Sequence, residues 1–276
     1  MPNIAKTNYR KVISSILTII ILLIMGVYLY QNRSLFNNLT KLAPWIIILV
    51  GVLHPMYISV IALTNKLIID NLGKTITFWD AFMLQFVNYL LNRFIAESGA
   101  VYRGAYLKTQ HDFPVSKYLS SIGGSYIIGM MTNAIVGIIL SIIIFYQQNT
   151  FNLIVFLFLL VIFVVTTLFM FVKSNLKPKN WLFKRLNQVI AGWLEIKSNP
   201  KLVLRIILLN ILSTIVNSIS IYLIYRGLDA KIKLLNSFYY FSISFFTTLV
   251  NITPGGLGIN EALLMFSSNV IGIPDE

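Results

Sequence analysis

Residues 118–172 read YLSSIGGSYIIGMMTNAIVGIILSIIIFYQQNTFNLIVFLFLLVIFVVTTLFMFV, lie between Lys117 and Lys173, and contain no charged side chain. A helix rises about 1.5 Å per residue, so about 20 residues cross a hydrocarbon layer of about 30 Å. The stretch is long enough to cross twice. Gln147-Gln148-Asn149-Thr150 supplies a polar turn between the crossings, which predicts spans near 120–146 and 151–171. Gly123, Gly124, Gly129 and Gly137 let the first of these approach a neighbour closely.

The composition of the whole chain agrees with this reading. Of its 276 residues, 57% are hydrophobic and 11% are charged, where a soluble domain carries about 25% charged residues. A water-soluble fold of this size cannot hide that much apolar surface, and a disordered chain would lack it. The fold class expected is all-α: a polytopic helical membrane protein forming a single domain over 1–276. Charge gaps predict four further spans, near 12–30, 44–64, 206–225 and 238–252. Lys6, Arg10 and Lys11 before the first suggest a signal peptide, but its apolar run is too long and no small-residue cleavage site follows. Pro44 suits a helix start, and His54-Pro55 predicts a kink in the second span. In the basic segment after Lys173, Leu182, Leu186, Val189, Ile190, Trp193 and Ile196 share one helical face. That pattern predicts an amphipathic helix near 181–197 lying in the membrane interface, as a connector or a lipid-sensing element.

The net charge is +13, and the positive charge is unevenly spread. With the N-terminus in the cytoplasm, the inner segments 1–11, 65–118 and 173–205 hold 17 Lys and Arg, and the outer loops hold 5. That bias favours an N-terminus inside, in the cell membrane, over nucleic-acid binding. It holds only if the hydrophobic stretch from Phe78 enters and leaves on one side. Segment 78–107 is therefore expected to be a re-entrant or broken helical pair. No cysteine is present, and His54 and His111 have no ligand-like spacing, so no metal, cofactor or thiol chemistry is expected.

Two stretches carry the candidate chemistry. In the first, Arg93, Glu97, Gly99 and Arg103 follow a hydrophobic helix. Arg93 and Glu97 can pair across one helical turn, and Arg103 can hold a phosphate by two parallel hydrogen bonds. The same charges also suit an ordinary cytoplasmic loop. In the second, Pro254, Gly255, Gly256 and Gly258 break the helix before Glu261. Near 253–270 the freed backbone groups need partners at membrane depth, and a buried carboxylate there faces a cavity or a basic group. A plain loop with Glu261 in interfacial water fits this pattern equally. No nucleophile elbow, zinc-binding pair of histidines or phosphate-loop lysine occurs, and no catalytic residue is assigned.

At these two stretches the sequence resembles the lysylphosphatidylglycerol synthase transmembrane region, the flippase-like membrane proteins. Pro254-Gly255-Gly256-Leu257-Gly258-Ile259-Asn260-Glu261 is similar to the family's Pro-Gly-Gly-x-Gly-x-x-Glu, and Gly99-Ala100-Val101-Tyr102-Arg103 to its earlier Gly-x-x-x-Arg. The resemblance implies a bundle that binds and moves a lipid, either an anionic or aminoacylated phospholipid or a lipid-linked sugar. The headgroup would be held by Arg93, Glu97, Gly99, Arg103, Pro254, Gly255, Gly256, Gly258 and Glu261. The two stretches would face each other across an internal pseudo-repeat. Arg103 would take the phosphate, and Glu261 a cationic group or Arg103 itself. The alternative is the membrane portion of a phosphatidylglycerol lysyltransferase. Its catalytic domain would be on another chain, and it would contribute to cationic-peptide resistance. A separate synthase or glycosyltransferase is the partner implied. Family members usually continue into further spans beyond Ile273-Pro274-Asp275-Glu276.

Overall fold

The computed structural model describes residues 42–94, 98–171, 181–230 and 232–249, together with Tyr30 and Ala262. Among the described residues all regular structure is helical. The elements are α1 (Pro44–Asn71), α2 (Phe78–Phe94), α3 (Ser98–His111), α4 (Val115–Gln148), α5 (Leu153–Met170), α6 (Trp181–Lys197), α7 (Pro200–Gly227) and α8 (Leu234–Ser244). A 3₁₀ turn, Phe245–Leu249, continues α8. Four helices are long and apolar enough to cross a membrane: α1, α4 from Lys117, α5 and α7. The span expected near 12–30 and the broken segment near 253–270 lie outside the described residues, apart from Tyr30 and Ala262. The run expected near 238–252 is not one long helix. Its described part is α8, of 11 residues, followed by the 3₁₀ turn to Leu249, and 250–252 lie outside the described residues.

Local chemistry sets the helix ends. Pro44 occupies the first turn of α1 after an extended Ala43, and the helix continues through Pro55. Gly73, at φ +88°, closes α1 in a left-handed conformation that glycine adopts without strain. The Gly73 amide donates to Asp70 O and the Lys74 amide to Ile69 O, satisfying the last carbonyls. Thr77 caps α2: its Oγ1 accepts from the Asp80 amide at 3.1 Å, while the Asp80 carboxylate accepts from the Thr77 amide at 3.4 Å. Asn152 and Asn199 cap α5 and α7 through side-chain oxygens.

Polar contacts sort the connections into two ends. At one end Asn199 Nδ2 donates to Asn71 Oδ1 at 2.8 Å. There Lys117 Nζ also reaches Leu72 O at 3.0 Å and the Glu195 carboxylate at 3.2 Å. At the other end the amides of Gln148 and Asn236 exchange hydrogen bonds of 2.8 and 3.2 Å, and Gly227 packs on Leu42 and Ile46. α2 starts and α3 finishes at the Lys117 end, so the pair leaves that end and returns to it.

Two apolar clusters fill the bundle. One gathers Ile68, Leu107, Phe113, Ile128, Trp193, Ile196 and Ile206, and the other gathers Ala134, Ile144, Leu159, Tyr239 and Ile243. Along α4 the first cluster ends at Ile128 and the second begins at Ala134, with buried Thr132 and Asn133 between. α6 lies directly on α4. A Cβ on Gly124 would stand 2.7 Å from the Gly192 carbonyl carbon, so the two backbones nearly touch. Outward, α5 exposes Leu153, Ile154, Val161, Val165 and Leu168, a surface suited to hydrocarbon rather than to water.

Candidate functional site: a polar cavity inside the bundle

α2 and α3 form an antiparallel hairpin, because Gly99 packs on Asn88 while Arg103, one turn later, reaches back to Gln85. The close approach requires glycine: a Cβ at position 99 would lie 2.7 Å from Asn88 Cα. Asn92 Oδ1 accepts the Gly99 amide at 2.9 Å, so α2 supplies a cap to the first turn of α3. This packing turns Arg103 inward, where it is 9% exposed.

Arg103 Nη1 donates to Gln85 Oε1 at 2.8 Å, and Asn65 Nδ2 donates to the same oxygen at 3.0 Å. The guanidinium carbon stands 5.7 Å from the centre of the Tyr118 ring, within range of a cation–π contact. Its Nε is buried and has no hydrogen-bond partner among the described residues. A charged donor left unpaired inside a protein carries a desolvation cost.

Arg103 opens onto a cavity of about 300 Å³ between α1, α2, α4, α7 and the end of α8. Its polar lining comes from Thr64, Asn65, Gln85, Asn88, Asn92, Ser125, Asn210, Ser213 and Thr247, and Arg103 is the sole charged side chain among its described residues. Tyr57, Tyr126, Phe241 and Phe245 contribute rings. Gly129 makes room for one of them, since a Cβ there would meet Phe245 Cζ at 2.6 Å. Asn65 is six residues from the end of α1 and Asn210 ten from the start of α7, so these walls lie roughly 9–15 Å in from the Lys117 end. Among the described residues, no three His, Asp or Glu side chains gather to hold a metal ion.

Of the residues expected at the headgroup, Gly99 and Arg103 meet in this hairpin. Arg93 is exposed, donates to Tyr89 Oη and stacks 4.8 Å over the Tyr89 ring, away from the cavity lining. Glu97, Pro254, Gly255, Gly256, Gly258 and Glu261 lie outside the described residues. Sequence reasoning missed the amides Asn65, Gln85, Asn88, Asn92 and Asn210. Their signal was present, because an amide inside an apolar helix needs a partner or a wet cavity, as a charge does.

A helical bundle with four membrane-length apolar helices and a buried arginine in an internal polar cavity is an integral membrane protein. This chain belongs to the family described as the lysylphosphatidylglycerol synthase TM region, whose model matches residues 12–276. Neither a curated protein nor a solved structure matches it.

Proposed function

We propose that this protein binds the anionic headgroup of a membrane lipid in the cavity and carries that lipid between leaflets. The observation that carries the reading is Arg103, buried among the helices at 9% exposure and the one charged side chain among the described residues that line the cavity. Arginine offers a planar fork of donors that fits phosphate, and it stays charged at physiological pH. The bundle has no covalent chemistry in this reading. Its work is binding and desolvation, with the headgroup leaving water for amides and a cation. The cell membrane is its location, with the Lys117 end and the N-terminus cytoplasmic, in keeping with the uneven spread of Lys and Arg.

The test uses the full chain reconstituted in vesicles of neutral lipid containing a trace of fluorescent phosphatidylglycerol. Impermeant dithionite reads the fraction of label in the outer leaflet. Wild-type protein is expected to speed transfer, and Arg103→Ala to return it to the protein-free rate. Transfer by Arg103→Ala equal to that of wild type overturns the assignment.

The family's description favours a second reading: the membrane portion of a phosphatidylglycerol lysyltransferase, serving a synthase domain on another chain and so resistance to cationic peptides. Lysyl-phosphatidylglycerol formed only when this chain is co-expressed with a soluble synthase domain would support it. Formation independent of this chain would exclude it.

A further inference from the structure

Half of the described residues that line the cavity are amides and aromatic rings. An amide offers two N–H donors and a carbonyl acceptor, the complement of neighbouring hydroxyls that each donate and accept. The arrangement of donors and acceptors can be read from the contacts. Gln85 Oε1 takes N–H groups from both Arg103 and Asn65, and only a carbonyl can accept twice, so the Gln85 NH₂ is the group left to donate. On the other wall Asn210 spends its Nδ2 on Ile206 O at 2.9 Å, which keeps its carbonyl as an acceptor. Asn88, 7% exposed, lies on the same helix as Gln85 and holds Asn92 only at 3.5 Å.

The rings add a second kind of contact. Tyr57 and Phe241 meet edge to face at 6.3 Å, and both line the space with Tyr126 and Phe245. The electron-rich face of such a ring attracts the polarised C–H groups on one side of a sugar. A cavity of about 300 Å³ is the scale of one sugar ring with its phosphate.

We propose that the headgroup taken here is a neutral sugar joined to its lipid through a single phosphate, with the phosphate on Arg103 and the hydroxyls on the surrounding amides. This rests on the reading of the cavity as a headgroup site and narrows it to one class.

The experiment is titration calorimetry of the full chain in nanodiscs with four probes of equal chain length. The probes are octyl phosphate, octyl glucoside, an octyl glucosyl phosphodiester and an octyl aminoethyl phosphodiester. The sugar phosphodiester is expected to bind about tenfold tighter than octyl phosphate or the aminoethyl probe, an effect the size of one or two net hydrogen bonds. Asn88→Ala is expected to erase that advantage, so that within the variant the sugar phosphodiester and octyl phosphate bind with equal Kd, and Asn210→Ala repeats the test on the opposite wall. Equal Kd values for the sugar phosphodiester and octyl phosphate, or tighter binding of the aminoethyl probe, overturn the sugar assignment and leave the headgroup site standing. If no phosphate-bearing probe binds, or Arg103→Ala binds them all as wild type does, both readings fall.

Discussion

The buried guanidinium of Arg103 needs hydrogen-bond acceptors around it to offset its desolvation. Gln85 does this as a neutral acceptor. Arg103→Lys is therefore expected to behave nearly as Arg103→Ala does in headgroup titrations. A single ammonium on a flexible stem lacks the fork that holds Gln85 and a phosphate together. Gly99 is the second sensitive position. Gly99→Ala should destabilise the protein by about 1–3 kcal/mol, since the new methyl meets backbone rather than a movable side chain. Gly51→Ala, with nothing within 4 Å of its added Cβ, is the control and should be neutral or mildly stabilising. Thermal unfolding in detergent compares the two. At this scale the sequence points to Gly99 and Arg103 because a glycine and a charge stand out in apolar surroundings. Asn65, Gln85, Asn88 and Asn210 go unnoticed, since an uncharged amide leaves both the charge gaps and the hydropathy almost unaltered.

α1, α4 and α7 run longer in the structure than in the charge gaps. The second span was expected to end near Thr64, but α1 continues to Asn71, because Lys66 and Asp70 pair across one turn at 2.5 Å and extend the helix past its first charge. α7 begins at Pro200 rather than near 206, with Asn199 capping it and Arg205 carried within its first turns. Charges at helix ends pair or reach for water, so a rule that stops at the first charge trims each helix by a turn or two. The start of α2 can be tested directly. Thr77→Ala removes the hydroxyl that caps it and should cost about 0.5–2 kcal/mol. Hydrogen exchange should read this as faster exchange confined to the first turn of α2. Protection unchanged there would show that packing, not the cap, holds the turn.

The whole molecule divides its connections between two ends, and this division can be compared with the charge pattern. Segments 65–118 and 173–205, expected on one side, meet through Lys117–Glu195 and Asn71–Asn199. Loops 147–150 and 226–236, expected on the other, meet through Gln148 and Asn236. The condition on Phe78 is what the α2–α3 pair satisfies by returning to its starting end. The absence of cysteine from the chain makes the sidedness testable in cells. Single variants Asp229→Cys and Lys74→Cys should differ under an impermeant maleimide, with only the first labelled. The reverse pattern would invert the proposed orientation. The Arg103–Gln85 anchor bears on how the proposed carrier would release its lipid. In the carrier proposed above, letting go of the headgroup would ask α2 to shift against α3 and draw the Gln85 amide from the Arg103 guanidinium, and the glycine seam at position 99 is where the two helices lie closest.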